Sequence, residues 1–349
     1  MIKKAKNIKT VLHYVLFLIL ALLFASFILS FASCGIPSGS TAAKNDSGEI
    51  LQKITVVLDW VPNTNHTGLY VAKEKAYYRA EGLEVEIIQP AEGGSADLIA
   101  AEKSHFGISY QEQVTYARTA EDPLPVVAIA AVIQHNTSGF ASPAEKNIRT
   151  PADFENKKYG GWGSPMEEAI LKGLMAKYGA DYSKLEIVNI GAADFFTSVT
   201  KDVDFTWIYY GWDGVASEVK DFSINFMLLQ DLDSQLDFYT PVIIASEKTI
   251  SKNPELVKRF LTATQKGYMF AVENPEEAAD ILLKMVPELD RQIVVASQKY
   301  LAGQYISGGK KWGEMQLDIW KTFGDWMYRN NLLTSNLNAE KAFTNDFLP

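Results

Sequence analysis

From Lys53 onward, short β-rich runs alternate with helix-length stretches, twice over, and that alternation leaves few folds open. The first set has expected strands at Ile54–Leu58, Leu83–Ile88, Phe106–Tyr110 and the continuous apolar run Val126–Ile133. Helices are expected between them at Leu69–Glu81, Ser95–Lys103 and Gln111–Ala120. The second set opens at Thr150, an N-cap with Pro151 at the first helical position. It continues through strands at Lys158–Trp162, Leu185–Ile190 and Asp204–Tyr209, with helices at Pro165–Tyr178 and Ala192–Lys201, and closes with Phe226–Leu229 and Tyr239–Ala245. After Ser251 the pattern is helical: Pro254–Val272, Pro275–Val286, Asp290–Tyr305 and Leu317–Asn331. Strands separated by helices pair mostly in parallel through right-handed crossovers. The expected fold class is therefore α/β, with two lobes, mostly parallel sheets and a cleft between them. A chain of 349 residues is also too long for one compact domain.

The start of the chain is of another kind. Residues 1–10 hold four lysines and no acid, and the stretch from Val11 to Ala32 is almost wholly apolar. A basic start, an apolar run and a small-residue exit read as a secretory signal over 1–33. Phe31-Ala32-Ser33-Cys34-Gly35 resembles a bacterial lipobox, with Phe31 where an aliphatic residue is usual. Cys34, the only cysteine, is thus the expected lipidation site, and residues 34–50 a polar, flexible tether. The alternative is an uncleaved anchor, since about 20 apolar residues can span a bilayer. Either way the rest of the chain is expected on the extracytoplasmic face of the cell membrane. Losing four lysines and no acid takes the net charge from −9 to −13, which argues against nucleic acid as a partner.

Three segments carry a resemblance. Val57-Leu58-Asp59-Trp60-Val61-Pro62-Asn63-Thr64-Asn65-His66, the passage Glu74–Val85 and the segment Arg149–Lys158 resemble type II periplasmic solute-binding proteins. The matching branch includes nitrate, sulfonate and thiamine-pyrimidine-precursor binders, and Ala76 stands where it usually has glycine. The resemblance implies a type II periplasmic-binding-protein fold: lobe 1 over 51–138, lobe 2 over 139–245, and a return with C-terminal helices over 246–349. It further implies a monomer that passes its ligand to an ABC transporter permease.

Candidate ligand-binding residues cluster where strands end, which is where α/β sheets leave a crevice. Trp60 gains nothing in a solvated loop and suits stacking on a flat ring. Asp59 precedes it, Asn63 can offer both a donor and an acceptor, and His66 can bond a ligand or serve as a structural partner. Trp162 follows a glycine pair that lets backbone approach a ligand. Ser164 and Glu167 form a capping box, which gives Glu167 a structural task and leaves Glu168 free. The resemblance also places Glu168 at a binding position. Tyr209, Tyr210 and Trp212 end another strand, and Tyr110 and Gln111 occupy the matching place in the first set. With four histidines and one committed cysteine, no metal site or cofactor is expected, and no nucleophile–base pattern is legible. The function expected is capture of a small heteroaromatic ligand, first a thiamine-precursor aminopyrimidine. Riboflavin or a sulfonate is the alternative within this class; a pyrimidine-synthesis enzyme is the alternative outside it.

Overall fold

The strands differ in how far they are covered, and this accounts for their sequences. In the computed structural model, which describes Gly48 and residues 50–349 except 91–93, 192 and 308–310, ten strands form two five-stranded sheets. The leader, Cys34 and most of the tether lie outside the described residues. The first sheet has the order β2-β1-β3-β10-β4. Its strands are β1 (Gln52–Val57), β2 (Leu83–Ile88), β3 (Phe106–Ser109), β4 (Val126–Ala131) and β10 (Val242–Ser246). The second has β5 (Ser138–Pro143), β6 (Lys158–Gly161), β7 (Glu186–Asn189), β8 (Phe205–Tyr209) and β9 (Ile224–Leu228), in the order β7-β6-β8-β5-β9. β3, β4 and β10 are buried at every residue and are small or apolar throughout, while edge strand β2 alternates Leu-Glu-Val-Glu.

Both sheets repeat one plan. Four strands run one way, and the fifth is antiparallel to both its neighbours: β10 between β3 and β4, and β5 between β8 and β9. β5 begins the excursion into the second sheet and β10 ends it, so two crossing segments, 132–137 and 229–241, join the lobes. This differs from the sequence expectation in one respect. The run at Tyr239–Ala245 does not close the second set; its strand, β10, completes the first sheet.

The helices of seven residues or more are α1 (Thr67–Glu74), α2 (Gly94–Ala100), α3 (Gln111–Thr119), α4 (Pro165–Lys177), α5 (Phe195–Lys201), α6 (Pro254–Glu273), α7 (Pro275–Met285), α8 (Arg291–Ala302) and α9 (Leu317–Arg329). The helix expected over Leu69–Glu81 is broken at Ala76, which sits at φ 58° and starts a separate turn, Tyr77–Ala80. That left-handed backbone is the conformation glycine adopts without cost, which explains the residue usual there. α1 and α6 cross so closely that a Cβ on Gly267 would lie 2.0 Å from the Gly68 carbonyl oxygen. One core surrounds β1 and β3, where Phe106 stacks on Phe260 at 3.9 Å; another surrounds Phe140, Phe205 and Trp207. α9 serves both halves: Trp320 packs in a first-sheet cluster, and Phe323, Trp326 and Met327 in the second-lobe core. Among the described residues, no helix is long and apolar enough to cross a membrane.

Candidate functional site

Four loops leave the carboxyl ends of parallel strands: those after β1 and β3 in the first lobe, and after β6 and β8 in the second. Two of them display tryptophans that the cores do not cover. Trp60 is 53% exposed and Trp162 45%, whereas Trp312 and Trp320 are essentially buried. One side of Trp162 rests on Trp207, with ring centroids 5.4 Å apart and planes at 50°. An indole with a free face costs hydration free energy, which a flat ligand stacked upon it removes.

The loop after β1 is held by its own side chains. Asn63 caps the 3-10 turn Thr64–His66: its Oδ1 accepts from the Asn65 N–H at 2.9 Å and its Nδ2 donates to the Val61 carbonyl at 3.1 Å. His66 is fully buried. Its Nδ1 accepts from the Asn63 N–H at 3.2 Å, which leaves the proton on Nε2, donated to Asp59 at 2.6 Å. Burial alone would raise the Asp59 carboxyl, but the attraction of the His66 ring and hydrogen bonds from His66 and Tyr110 outweigh it and hold Asp59 below the ordinary range. Asp59 therefore stays a carboxylate. Behind the loop, the Thr64 hydroxyl meets Ser297 on α8 at 2.5 Å, and Ser297 donates to the Gly211 carbonyl just past β8. The loop of one lobe is thus joined to the exit of the other.

In the second lobe, Glu167 on α4 is buried and organises the Trp162 loop. Its carboxylate accepts from the Tyr159 hydroxyl at 2.6 Å, the Trp162 N–H at 3.1 Å and the Ser164 N–H at 2.9 Å. The Ser164 Oγ in turn accepts from the Met166 N–H at 3.2 Å.

The two lobes meet electrostatically between these loops. Burial first, and then the charges of Glu112, Asp59 and Glu167, raise the Tyr209 phenol. Tyr110 is likewise raised well above the usual phenol range by burial, then by Asp59 and Tyr209. Glu112 on α3 is pushed up to about 7 by burial and by Glu167 of the opposite lobe. Among the described residues, the leading influences on these groups include no lysine or arginine. Unlike Asp59 and Glu167, Glu112 makes no hydrogen bond or ion pair with any described residue. At the strand ends, the buried hydroxyl of Ser109 and the side-chain amide of Gln134 also lack partners among the described residues.

Asp59, Tyr110 and Tyr209 are therefore brought together, and Trp60 and Trp162 stand exposed on the loops around them. Other sequence candidates are placed elsewhere. Gln111 is fully buried and spent on backbone: its Oε1 accepts from the Tyr239 N–H at 2.9 Å and its Nε2 donates to the Ile319 carbonyl at 3.3 Å. Asn63 and His66 are committed to the bonds above. Trp212 packs beside Tyr70, Leu282 and Val294. Glu168 points outward, about half exposed, and pairs with Lys172 at 2.6 Å. Glu112 and Glu167, each adjacent in sequence to an expected residue, are carboxyls that act on Tyr209 and on one another. Surface depressions of about 300 and 350 Å³ lie elsewhere, around Asp325 and Asn338 and around Phe196 and Phe222, and neither draws residues from these four loops. Among the described residues, no three His, Cys, Asp or Glu side chains are grouped so as to hold a metal ion.

Comparison with known proteins gives this geometry a context. The pattern of the family described as NMT1/THI5 like matches residues 63–278. A formylaminopyrimidine-binding protein of Halalkalibacterium halodurans is 30% identical, over 94% of this chain and 98% of its own. The riboflavin-binding protein RibY of Chloroflexus aurantiacus is 26% identical, over 92% and 95%. A 4-amino-5-hydroxymethyl-2-methylpyrimidine phosphate synthase of Legionella pneumophila is 24% identical, over 85% and 92%. Among solved structures, the periplasmic aliphatic sulphonate binding protein SsuA from Escherichia coli superposes with a TM-score of 0.65, at 15% identity, over 83% of this chain and 91% of its own. That likeness establishes the two-lobe periplasmic-binding-protein fold.

Proposed function

The chain belongs to the NMT1/THI5 like family, and from that premise we propose that it is the extracytoplasmic solute-binding component of an ABC importer, closing its lobes on a thiamine-related aminopyrimidine. One observation supports the ligand class: Asp59, Tyr110 and Glu112 of the first lobe and Glu167 and Tyr209 of the second act on one another electrostatically, and among the described residues no lysine or arginine is named among those influences. Acceptors and phenols beside exposed indoles suit a flat ring bearing N–H donors. They repel an anion, so the sulfonate alternative loses its support even though the fold is shared with sulfonate binders. The formylaminopyrimidine-binding relative, alike over nearly its whole length, favours the same ligand. Riboflavin keeps a place as the alternative through RibY. In the enzyme reading, favoured by the Legionella relative, purified protein would turn over a pyrimidine precursor. In this proposal Cys34 bears the lipid and residues 34–50 tether the lobes near the permease.

Mechanistically, the crossing segments 132–137 and 229–241 form the hinge. His135 bonds Asp237 at 2.7 Å across them and the Asn136 N–H donates to Asp237 at 2.9 Å, so the two segments turn as one piece. A ligand touching both lobes adds its contacts only to the closed form and so shifts the population toward it. The test is thermal unfolding of the purified chain with formylaminopyrimidine, riboflavin or an alkanesulfonate, all at one concentration set to about 100 times the dissociation constant of the pyrimidine. Such a ligand stabilises by about 2.7 kcal/mol, or roughly 5 °C for a chain of this size. The expected result is a shift with the pyrimidine and none with the sulfonate; the reverse would overturn the proposal.

A further inference from the structure

We propose that Ser297 is a positioning residue for ligand capture: its hydroxyl ties the Trp60 loop of the first lobe to the exit of β8 in the second, and the tie holds the lobes closed on a guest. This rests on the capture between lobes proposed above and deepens it. Ser297 is fully buried on α8, and its hydroxyl meets two partners. It donates to the Gly211 carbonyl, which has no proton to give, so its one proton is committed there. The Thr64 hydroxyl, 2.5 Å away, is therefore the donor in the other bond. Thr64 is itself fixed in the first lobe, where its carbonyl accepts from the Tyr305 hydroxyl at 2.6 Å. The result is a directed chain, Thr64 to Ser297 to Gly211, that crosses from one lobe to the other.

The two ends of that chain belong to different bodies. Leu301 on α8 and Tyr305 just past it are part of the core around β1 and β3, and the Gln298 amide donates to the Ala271 carbonyl on α6 at 3.2 Å. Gly211 goes with the second sheet: Tyr209 pairs with Ser138 on β5, and the Tyr210 N–H donates to the Thr137 carbonyl at 3.1 Å. A turn of one lobe against the other about the crossing segments moves donor and acceptor apart, and a stretch of about 1 Å ends a hydrogen bond. The chain around Gly211 is shaped for this approach. Residues Tyr210–Gly214 form one turn of π-helix, a winding frequent at functional sites. A Cβ on Gly211 would lie 2.8 Å from Leu301 Cδ2, so glycine lets the backbone reach α8. Beside it, Trp212 is set among Tyr70, Leu282 and Val294 of the first lobe, and the Tyr210 ring lies 5.2 Å from that of Tyr300. Trp212, a ligand candidate in the sequence, thus anchors one lobe on the other. In an open form water reaches the Gly211 carbonyl, whereas in the closed form Ser297 serves it. Removing the hydroxyl therefore penalises the closed form.

The test is stopped-flow tryptophan fluorescence of the full chain in detergent with formylaminopyrimidine, following association on mixing and release on dilution. Ser297→Ala is expected to release the ligand about tenfold faster than wild type, with association within about twofold, because the Gly211 carbonyl is left buried without a donor in the closed form. Tyr78→Phe is the matched comparison. It removes a buried bond of the same kind, between the Tyr78 and Thr264 hydroxyls at 2.9 Å, that lies wholly within the first lobe. It should lower the unfolding temperature and leave release at the wild-type rate. Release from Ser297→Ala at the wild-type rate, or release from Tyr78→Phe accelerated to the same extent, would overturn the tie while leaving the ligand class intact. A wild type that takes riboflavin and no pyrimidine would overturn the ligand class, and the same two variants then decide the tie with riboflavin. Binding of neither ligand would overturn capture between the lobes and the tie with it.

Discussion

Trp162→Ala is expected to weaken pyrimidine binding by about 100-fold while changing the stability of the unliganded protein little. The indole is 45% exposed and touches its own lobe chiefly through Trp207, so removing it opens no large cavity. In the complex its free face covers the ligand. Burial of that face contributes about 1.5–2 kcal/mol, and ring stacking adds about 0.5–1.5 kcal/mol beyond it. Together these amount to roughly two orders of magnitude in the dissociation constant. Trp60, 53% exposed at the end of β1, should behave alike, and the two losses should add if the rings do not touch each other. Calorimetric titration gives the affinities and thermal unfolding the stability. Two variants that bind as the wild type does would place the ligand elsewhere.

Glu167→Ala should act in the opposite way, on the fold first and on binding as a consequence. The carboxylate is 3% exposed and accepts from one buried phenol and two backbone N–H groups. Its removal strands all three donors, a loss of about 3 kcal/mol. For a chain of this size that is a fall in melting temperature of about 5 °C. The Trp162 loop, cut loose from its acceptor, should also bind ligand less tightly. Glu168→Ala, one residue on, removes only an exposed pair with Lys172 and should cost less than about 0.5 kcal/mol. Thermal unfolding of the two variants side by side separates them. Equal losses would mean that Glu167 does not hold the loop.

That neighbouring pair shows where sequence reading reaches its limit. Strand ends are legible because burial leaves long apolar runs and half-burial leaves alternation, so Trp60, Tyr110, Trp162 and Tyr209 can be placed at or just past strand ends from pattern alone. The residues that open a helix are harder. Successive side chains there turn by about 100°, so whether Glu167 or Glu168, and Gln111 or Glu112, faces inward depends on a helix phase that no local pattern fixes. The capping box at Ser164 gives Glu167 a structural role, and in the structure that role extends to holding the Trp162 loop. β5 was invisible for another reason: Ser-Gly-Phe-Ala-Ser-Pro carries little strand propensity. Its small residues are what the packing requires, since a Cβ on Gly139 would fall 2.1 Å from the Met227 carbonyl oxygen. β10 looks like any buried strand, and only its pairing with β3 and β4 assigns it to the first sheet.

Backbone hydrogen exchange, followed with and without formylaminopyrimidine, tests most directly whether a ligand spans the two lobes. Protection is expected together at the loops around 58–66 and 110–116 in one half and around 160–168 and 209–214 in the other. Protection confined to one half, or to the depressions around Asn338 or Phe222, would contradict a ligand held between the lobes.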